Sequence, residues 1–216
     1  MRTKVCGLTR KEDVRFCADL GIDLTGFIFH PPSARCVHPD QVAGFPRLAA
    51  NRVGVFVRQT SEEILACMQK AGLDLAQLHG DQDTQTCQEI GPDRVLKVFW
   101  PQRYPHAQAM QQDLDRFAAV CSAFVLDSGH QGGGHGRTVH VAWLSELRFP
   151  RPWFLAGGLS PDTLPAILQA CRPDGVDLNS GVESRPGIKD RKRIQQCLGL
   201  LGKGPGQPNQ FKGDRQ

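Results

Sequence analysis

Eight short apolar segments recur along the chain, and most of the stretches between them have the apolar spacing or the capping residues of helices. The segments are rich in Val, Ile, Leu and Phe, as buried strands are. They lie at residues 3–6, 24–29, 52–57, 75–78, 95–99, 123–126, 153–156 and 175–178. Strands that alternate with helices in this way are parallel and are joined by right-handed crossovers. This repeat constrains the fold more than any other feature of the sequence.

The intervening helices are predicted from their caps and their periodicity. Thr9 with Glu12, and Thr60 with Glu63, have the spacing of a capping box at a helix N-terminus. Ser160 is predicted to cap a further helix, with a proline at its first position. Apolar stripes mark the first helix at Val14, Cys17, Ala18 and Gly21 and the last at Ile194, Cys197, Leu198 and Leu201. Helices after the second, fourth, fifth and sixth strands are less clearly indicated.

Two architectures fit this alternation, an open doubly wound sheet and a closed (β/α)₈ barrel. Eight strand–helix units in about 200 residues favour the barrel, whose lower size limit is about 200 residues. We therefore expect an α/β protein, a single (β/α)₈ TIM barrel over residues 1–201, with the open sheet as the alternative. Residues 202–216 are rich in Gly, Pro and Gln and lack periodicity, so they are expected to form a disordered tail.

Composition and charge narrow the partners and the compartment. The net charge is +4, and the segment after residue 202 supplies +2 of it, so the predicted barrel is close to neutral and a nucleic-acid partner is not expected. No apolar run is long enough for a membrane span, and a strand at residue 3 is expected to leave no room for a secretory peptide. The eight cysteines lack zinc-type spacing. Reduced thiols in the cytoplasm are therefore expected, buried on apolar stripes at Cys17, Cys67, Cys171 and Cys197.

Ionisable residues lie at the carboxyl ends of five predicted strands or in the loops that follow them. In either architecture the carboxyl ends of the strands meet at one edge, where ligands bind. The residues there are Cys6, Arg35, His79, Asp127 and Asp177. Each has a structural alternative, as a packed thiol, a surface charge, a strand-end hydrogen bond, a cap or an ion-pair partner. Together they predict a pocket of phosphosugar size with a thiol, a carboxyl and a guanidinium on its rim.

Glycine-bearing turns follow the last two strands. Gly157 and Gly158 end the seventh, and Ser180 and Gly181 follow the eighth. In a barrel these neighbouring loops commonly bind phosphate through backbone N–H groups and helix-end dipoles. A single Gly-Gly is more often an ordinary turn, but two such loops on consecutive strands favour a phosphate site.

Several stretches together resemble the phosphoribosylanthranilate isomerase family of tryptophan biosynthesis. They are "KVCGLTR", "GFIFHPPSARCV", "VGVFV", "LAQLHGD", "VLDSG", "LAGGLSPD" and "GVDLNSGVESRPGIKD", and they span roughly residues 3–200 in the family's order. The resemblance implies a barrel that converts the aminoaldose N-(5-phosphoribosyl)anthranilate to an aminoketose by an Amadori rearrangement. No metal or redox cofactor is then expected, and the partner is a small phosphosugar.

The resemblance also implies roles for individual residues. Cys6 matches the general base, Asp127 the general acid and Arg35 the residue that meets the anthranilate carboxylate. His79 and Asp177 match further substrate-binding positions, the latter near the ribose, and the phosphate cradle matches Gly157, Gly158, Ser180 and Gly181. Ring opening then needs a proton on Asp127, and abstraction of the sugar C2 proton needs a partly ionised Cys6. The chain departs from the family pattern at Thr25, His135 and Asn179.

Other interpretations stay open beside this one. A different phosphosugar barrel, such as an epimerase or a histidine-pathway aminoaldose isomerase, would use the same kind of pocket. A barrel without catalytic activity, whose tail recruits a partner, is a third possibility. A helical exterior is compatible with a monomer or a homodimer.

Overall fold

The sheet of this protein closes on itself. The computed structural model describes residues 1–128 and 141–203. The eight barrel strands are β1 (Arg2–Val5), β2 (Leu24–Ile28), β3 (Asn51–Phe56), β4 (Leu75–Leu78), β5 (Val95–Phe99), β6 (Ala123–Asp127), β7 (Trp153–Ala156) and β8 (Gly175–Leu178). Each strand pairs in parallel with the next, and β8 pairs with β1 in a register that places Lys4 opposite Asp177. The barrel is thus confirmed, and the open sheet is excluded.

Helices surround the barrel and follow most of its strands. They are α1 (Lys11–Asp19), α2 (Pro39–Ala43), α3 (Ser61–Ala71), α4 (Thr84–Ile90), α5 (Ala107–Phe117), α6 (Leu164–Ala170) and α7 (Arg191–Leu200). Between β6 and β7 the described residues contain only a 3₁₀ segment, Val141–Glu146. After β8 a small antiparallel hairpin, β9 (Glu183–Arg185) and β10 (Ile188–Lys189), precedes α7.

The strands were predicted to within one residue at each end, but two of the three predicted caps were wrong. Thr60 and Glu63 form the predicted capping box of α3. By contrast, α1 begins after Arg10 without a side-chain cap, because the Thr9 hydroxyl donates to the carbonyl of Gly187 at 2.6 Å instead. Ser160 accepts hydrogen bonds from the next turn, and α6 begins only at Leu164.

Two apolar layers hold the barrel together. The outer layer lies between strands and helices and includes Phe27, Phe56, Phe124 and Met110. The inner layer fills part of the barrel with side chains of alternate strand residues: Leu24, Val53, Leu96, Val98, Ala123, Val125, Phe154 and Ala156. Burial of this kind contributes about 25 cal/mol per Å² of apolar surface. The rest of the interior is polar, and it contains most of the sequence-predicted site.

The eight cysteines all lie within the described residues, and none is in a disulfide. Of the four expected on apolar stripes, Cys17 and Cys197 are buried and Cys67 and Cys171 are half-buried. No helix among the described residues has the length and the apolar content needed to cross a bilayer. His135 and most of the predicted tail lie outside the described residues. The first tail residues are described, and Lys203 forms an ion pair with Asp23 at 2.7 Å.

Candidate active site

Strand β1 turns its even-numbered residues into the barrel, since side chains alternate along a strand. Lys4 and Cys6 therefore share the interior face, and both are buried. They lie beside Gly26 of β2, where a Cβ atom would stand 2.8 Å from the Cys6 sulfur and 3.1 Å from the Lys4 Nζ. Only glycine at this position leaves room for the sulfur and the ammonium group.

An ion pair crosses the interior from β1 to β8. Lys4 Nζ donates to Asp177 Oδ2 at 2.8 Å, and the two side chains are 0 % and 6 % exposed. The other carboxylate oxygen, Oδ1, is buried and has no hydrogen-bond partner among the described residues. Burial opposes the charge of Lys4, but Asp177 and the Cys6 sulfur outweigh it and raise the lysine pKa. Burial raises the pKa of Asp177, against the attraction of Lys4.

The Cys6 thiol is held in its protonated form by its surroundings. Burial raises its pKa, and the Lys4 ammonium opposes this increase, while the Asp177 carboxylate adds to it. The partial ionisation expected from the sequence is therefore disfavoured in the free protein. A thiolate formed at Cys6 is nevertheless a stronger base than the thiolate of an exposed cysteine, because basicity rises with the pKa of the conjugate acid.

His79 and Asp127 face each other at the ends of β4 and β6. The imidazole Nε2 lies 3.5 Å from Asp127 Oδ2, at the outer limit of a hydrogen bond. Burial lowers the pKa of His79, which favours the neutral ring. The Gln77 amide lies 3.2 Å from Nδ1, so a neutral ring that accepts there carries its proton on the side of Asp127. Trp100 packs nearly perpendicular to the same ring, with 5.3 Å between the ring centroids.

Arg35 is fixed beside Cys6 by residues from the far end of the chain. Its Nε and Nη2 donate to both oxygens of Glu183, at 2.9 and 2.6 Å. Glu183 also accepts a hydrogen bond from Lys189 Nζ at 2.9 Å. Burial opposes the charge of the Glu183 carboxylate, but Arg35 and Lys189 outweigh it and lower the pKa of that carboxyl. A Cβ atom at Gly7, where φ is +70°, would stand 2.7 Å from the Arg35 side chain, which therefore crosses directly over the end of β1.

The two predicted phosphate loops touch each other. A Cβ atom at Gly181 would lie 2.1 Å from the carbonyl oxygen of Leu159, so the loop after β8 contacts the loop after β7 through the backbone. Gly157 and Gly158 have φ values of +98° and +66°. Arg193 of α7 donates to the Gly181 carbonyl at 2.9 Å and fixes the second loop. The backbone N–H groups of these loops can bind an anion.

The structure thus brings the nine predicted site residues to one end of the barrel, around its interior. Sequence analysis missed three of their charged partners, Lys4, Glu183 and Lys189. A lysine inside an apolar strand, two residues before Cys6, is a signal that was available, because a buried charge needs a partner. Among the described residues, no three His, Cys, Asp or Glu side chains are grouped as metal ligands.

Comparison with known proteins assigns the family. Residues 3–199 match the family model described as N-(5'-phosphoribosyl)anthranilate (PRA) isomerase. Curated relatives named N-(5'-phosphoribosyl)anthranilate isomerase include those of Desulfovibrio desulfuricans and Maridesulfovibrio salexigens. The first is 47 % identical, over 95 % of this chain and 98 % of the relative. The second is 44 % identical, over 92 % and 97 %.

Solved structures agree with this assignment. Phosphoribosyl anthranilate isomerase from Thermus thermophilus is 32 % identical, with a TM-score of 0.78 over 94 % of this chain and 98 % of that one. Another solved isomerase, in complex with reduced 1-(o-carboxyphenylamino)-1-deoxyribulose 5-phosphate, is 28 % identical, with a TM-score of 0.74 over 94 % and 99 %. Sequence and fold agree, and the chain belongs to the N-(5'-phosphoribosyl)anthranilate isomerase family.

Proposed function

We propose that this protein converts N-(5-phosphoribosyl)anthranilate to 1-(2-carboxyphenylamino)-1-deoxyribulose 5-phosphate, an Amadori rearrangement in tryptophan biosynthesis. One observation carries the proposal beyond family membership. A buried thiol at the end of β1 and a carboxyl at the end of β6 lie on the same barrel interior, and the Asp177 carboxylate interacts with both. A base and an acid on two sides of one sugar are what an aldose–ketose isomerisation requires.

Substrate binding follows from the charges and the backbone of the site. The phosphate binds at the touching loops that contain Gly157, Gly158, Ser180 and Gly181. The anthranilate carboxylate binds Arg35, whose Nη1 has no hydrogen bond to any residue that the structure describes. The buried Asp177 Oδ1 accepts a hydrogen bond from a ribose hydroxyl, which satisfies an otherwise unpartnered oxygen. His79 contacts the sugar beside Asp127.

The reaction is an internal redox exchange and needs no outside oxidant. Asp127 donates its proton to the furanose oxygen, the C1–O bond breaks, and the anilino nitrogen lone pair forms an iminium at C1. The Cys6 thiolate removes the C2 proton, and the released electron pair forms the C1–C2 double bond of an enolamine. A proton returns at C1 as the C2 hydroxyl becomes the ketone, so atoms and charge balance.

The first prediction concerns these two groups. Cys6→Ala and Asp127→Asn are each expected to lower kcat by about 10² to 10⁴, because a general base or acid is removed from the transition state. The measurement follows the loss of substrate fluorescence with phosphoribosylanthranilate generated in situ. Circular dichroism checks that each variant is folded.

Two matched controls use the same substitutions outside the site. Cys67→Ala changes a half-buried thiol of α3, and Asp81→Asn changes an exposed carboxylate on the same rim. Both are expected to keep wild-type turnover. A folded Cys6→Ala enzyme with ordinary kcat would contradict the assignment of the base. Turnover of the histidine-pathway aminoaldose with none of phosphoribosylanthranilate would contradict the proposed substrate.

The catalytic unit in this proposal is the barrel, residues 1–201, and the tail at 202–216 takes no part in the chemistry. A cytoplasmic location is supported by eight cysteines without a disulfide, which suit a reducing compartment. The protein acts as a monomer or a homodimer on a small phosphosugar, without nucleic acid or membrane. A relative from Thermotoga maritima is described as dimeric.

A further inference from the structure

A buried lysine next to the proposed base calls for an explanation. Lys4 is fully buried, and its ammonium group donates to Asp177 Oδ2 at 2.8 Å. Removing two opposite charges from water costs more than such a pair commonly returns, and apolar residues of similar size often stabilise a core better. Leu24, which lies opposite Lys4 on β2, is an apolar residue of the inner layer. Stability alone therefore does not account for a lysine here.

The geometry places the Lys4 ammonium group next to both the Asp177 carboxylate and the Cys6 sulfur. β1 pairs with β8 so that Lys4 lies opposite Asp177, which fixes the direction of the long side chain. The ammonium and the Cys6 sulfur both border the same point above Gly26, at 3.1 and 2.8 Å from it. The lysine thus lies between the carboxylate that holds it and the sulfur that is to carry a negative charge.

Other charges face Cys6, but none is placed like Lys4. Lys189 of β10 and Arg35 of the loop after β2 are positive, and both are occupied by the Glu183 carboxylate. Asp177 is negative and opposes ionisation of the thiol. His79 and Asp127 lie beyond Asp177 and interact with it. Lys4 is therefore the cation whose removal should change the thiol most.

We propose that Lys4 is a positioning residue for the isomerisation: held by Asp177, its ammonium group stabilises the Cys6 thiolate that removes the C2 proton. This inference rests on the proposed role of Cys6 as base. When a ribose hydroxyl donates to Asp177, the carboxylate repels the thiolate less, while Lys4 stays in place. Substrate binding then favours the ionised sulfur at the moment when it is needed.

The test is Lys4→Met, which keeps the length of the side chain and removes its charge. A nearby opposite charge changes a pKa by about 1 to 3, so kcat/KM below the plateau should fall about tenfold or more. The acid limb of the kcat/KM profile should move to higher pH, because the thiolate loses its cation. Alkylation of Cys6 by iodoacetamide, followed by mass spectrometry of its peptide, should show the same displacement without substrate.

Two further variants separate this role from a structural one. Lys97→Met removes another buried lysine of the barrel, bonded to the carbonyls of Gly80 and Gln82, and should lower stability without moving either pH profile. The double variant Lys4→Met with Asp177→Asn leaves no buried charge unpaired and guards against misfolding. If Lys4 only neutralises Asp177, this double variant should recover the wild-type alkylation profile. If Lys4 acts on the sulfur, the profile should remain displaced, by less than in Lys4→Met because the repulsion by Asp177 is also removed.

Failure of the Lys4 inference can be distinguished from failure of the proposed function. An active wild type whose Lys4→Met variant loses rate with both pH profiles unchanged would overturn the inference and leave the proposed function intact. A wild type without isomerase activity would overturn the proposed function, and the alkylation profiles would still report on the Lys4–Cys6 contact.

Discussion

Glu183 determines where the Arg35 guanidinium can point. Two of its three nitrogens donate to that carboxylate, and Lys189 holds the carboxylate from the other side. The third nitrogen, Nη1, has no hydrogen-bond partner among the described residues and is left for a ligand. Nη1 can donate to a second carboxylate, and little conformational entropy remains to be lost when the ligand binds, because Glu183 already fixes the guanidinium. In the proposed function, this one side chain gives specificity for the anthranilate half of the substrate.

At this scale we expect Arg35→Lys to raise KM for phosphoribosylanthranilate about tenfold or more, with a smaller effect on kcat. The loss of one charge-assisted hydrogen bond, about 1.5–3 kcal/mol, corresponds to that factor. Steady-state kinetics measure it. Arg47→Lys is the control, because Arg47 lies outside the site, bound to the Gly72 carbonyl and Asp74. Unchanged KM in Arg35→Lys would show that the carboxylate binds elsewhere.

The elements after β7 and β8 form the proposed phosphate site only because they approach through glycine. The loop of Gly181 meets the backbone of Leu159, and Arg193 of α7 holds it there. A 3₁₀ turn, Ser180–Val182, then leads into the β9–β10 hairpin. The same stretch of chain thus shapes the phosphate loop and carries the Glu183 that anchors Arg35.

At the scale of these elements, Gly181→Ala is expected to separate the two loops, because its Cβ would lie 2.1 Å from a carbonyl oxygen. KM should rise about tenfold or more, since several backbone donors to the phosphate move together. Gly199→Ala in α7 is the control, since a Cβ there meets nothing within 4 Å. That variant should keep KM and gain about 0.5–1 kcal/mol of stability, as measured by denaturant unfolding. An unchanged KM in Gly181→Ala would contradict the placement of the phosphate.

Across the whole molecule, buried thiols tie stability to pH. Burial raises the pKa of Cys17 and of Cys121 to about 12. The folded protein therefore keeps these thiols neutral where the unfolded chain ionises them. Their contribution to stability is complete below the unfolded pKa of 9.0 and is lost as the pH rises towards 12.

For the whole molecule we therefore expect a double variant, Cys17→Ala with Cys121→Ala, to be less stable than wild type at neutral pH. Its deficit in Tm should shrink between about pH 8 and about pH 10.5, because only the wild type has these thiols to ionise on unfolding. Thermal unfolding in reductant measures both proteins. A constant difference in Tm over this range would show that the two thiols have the same pKa in the folded and unfolded chain.

The sequence predicted those features that depend on neighbours along the chain. Strand positions, the Thr60–Glu63 cap and the placement of Cys6 and Asp127 at strand ends follow from local period and spacing. The prediction of Thr9 as a cap was wrong because its hydroxyl bonds a residue 178 positions away. The pairings of Lys4 with Asp177 and of Glu183 with Arg35 were missed for the same reason, since the partners lie 173 and 148 positions apart. Such pairings exist only once the barrel has closed.

The seam where β8 pairs with β1 has a consequence for biosynthesis. Cys6 and Arg35 leave the ribosome more than 140 residues before Asp177, Glu183 and Lys189. Before these later residues are made, β1 has one unpaired edge, the Arg35 guanidinium has no anchor and Lys4 has no counterion. A nascent chain that stops before β8 is thus an inactive intermediate with an exposed, aggregation-prone edge on β1, and the anchor of Arg35 is complete only once Lys189 has been added.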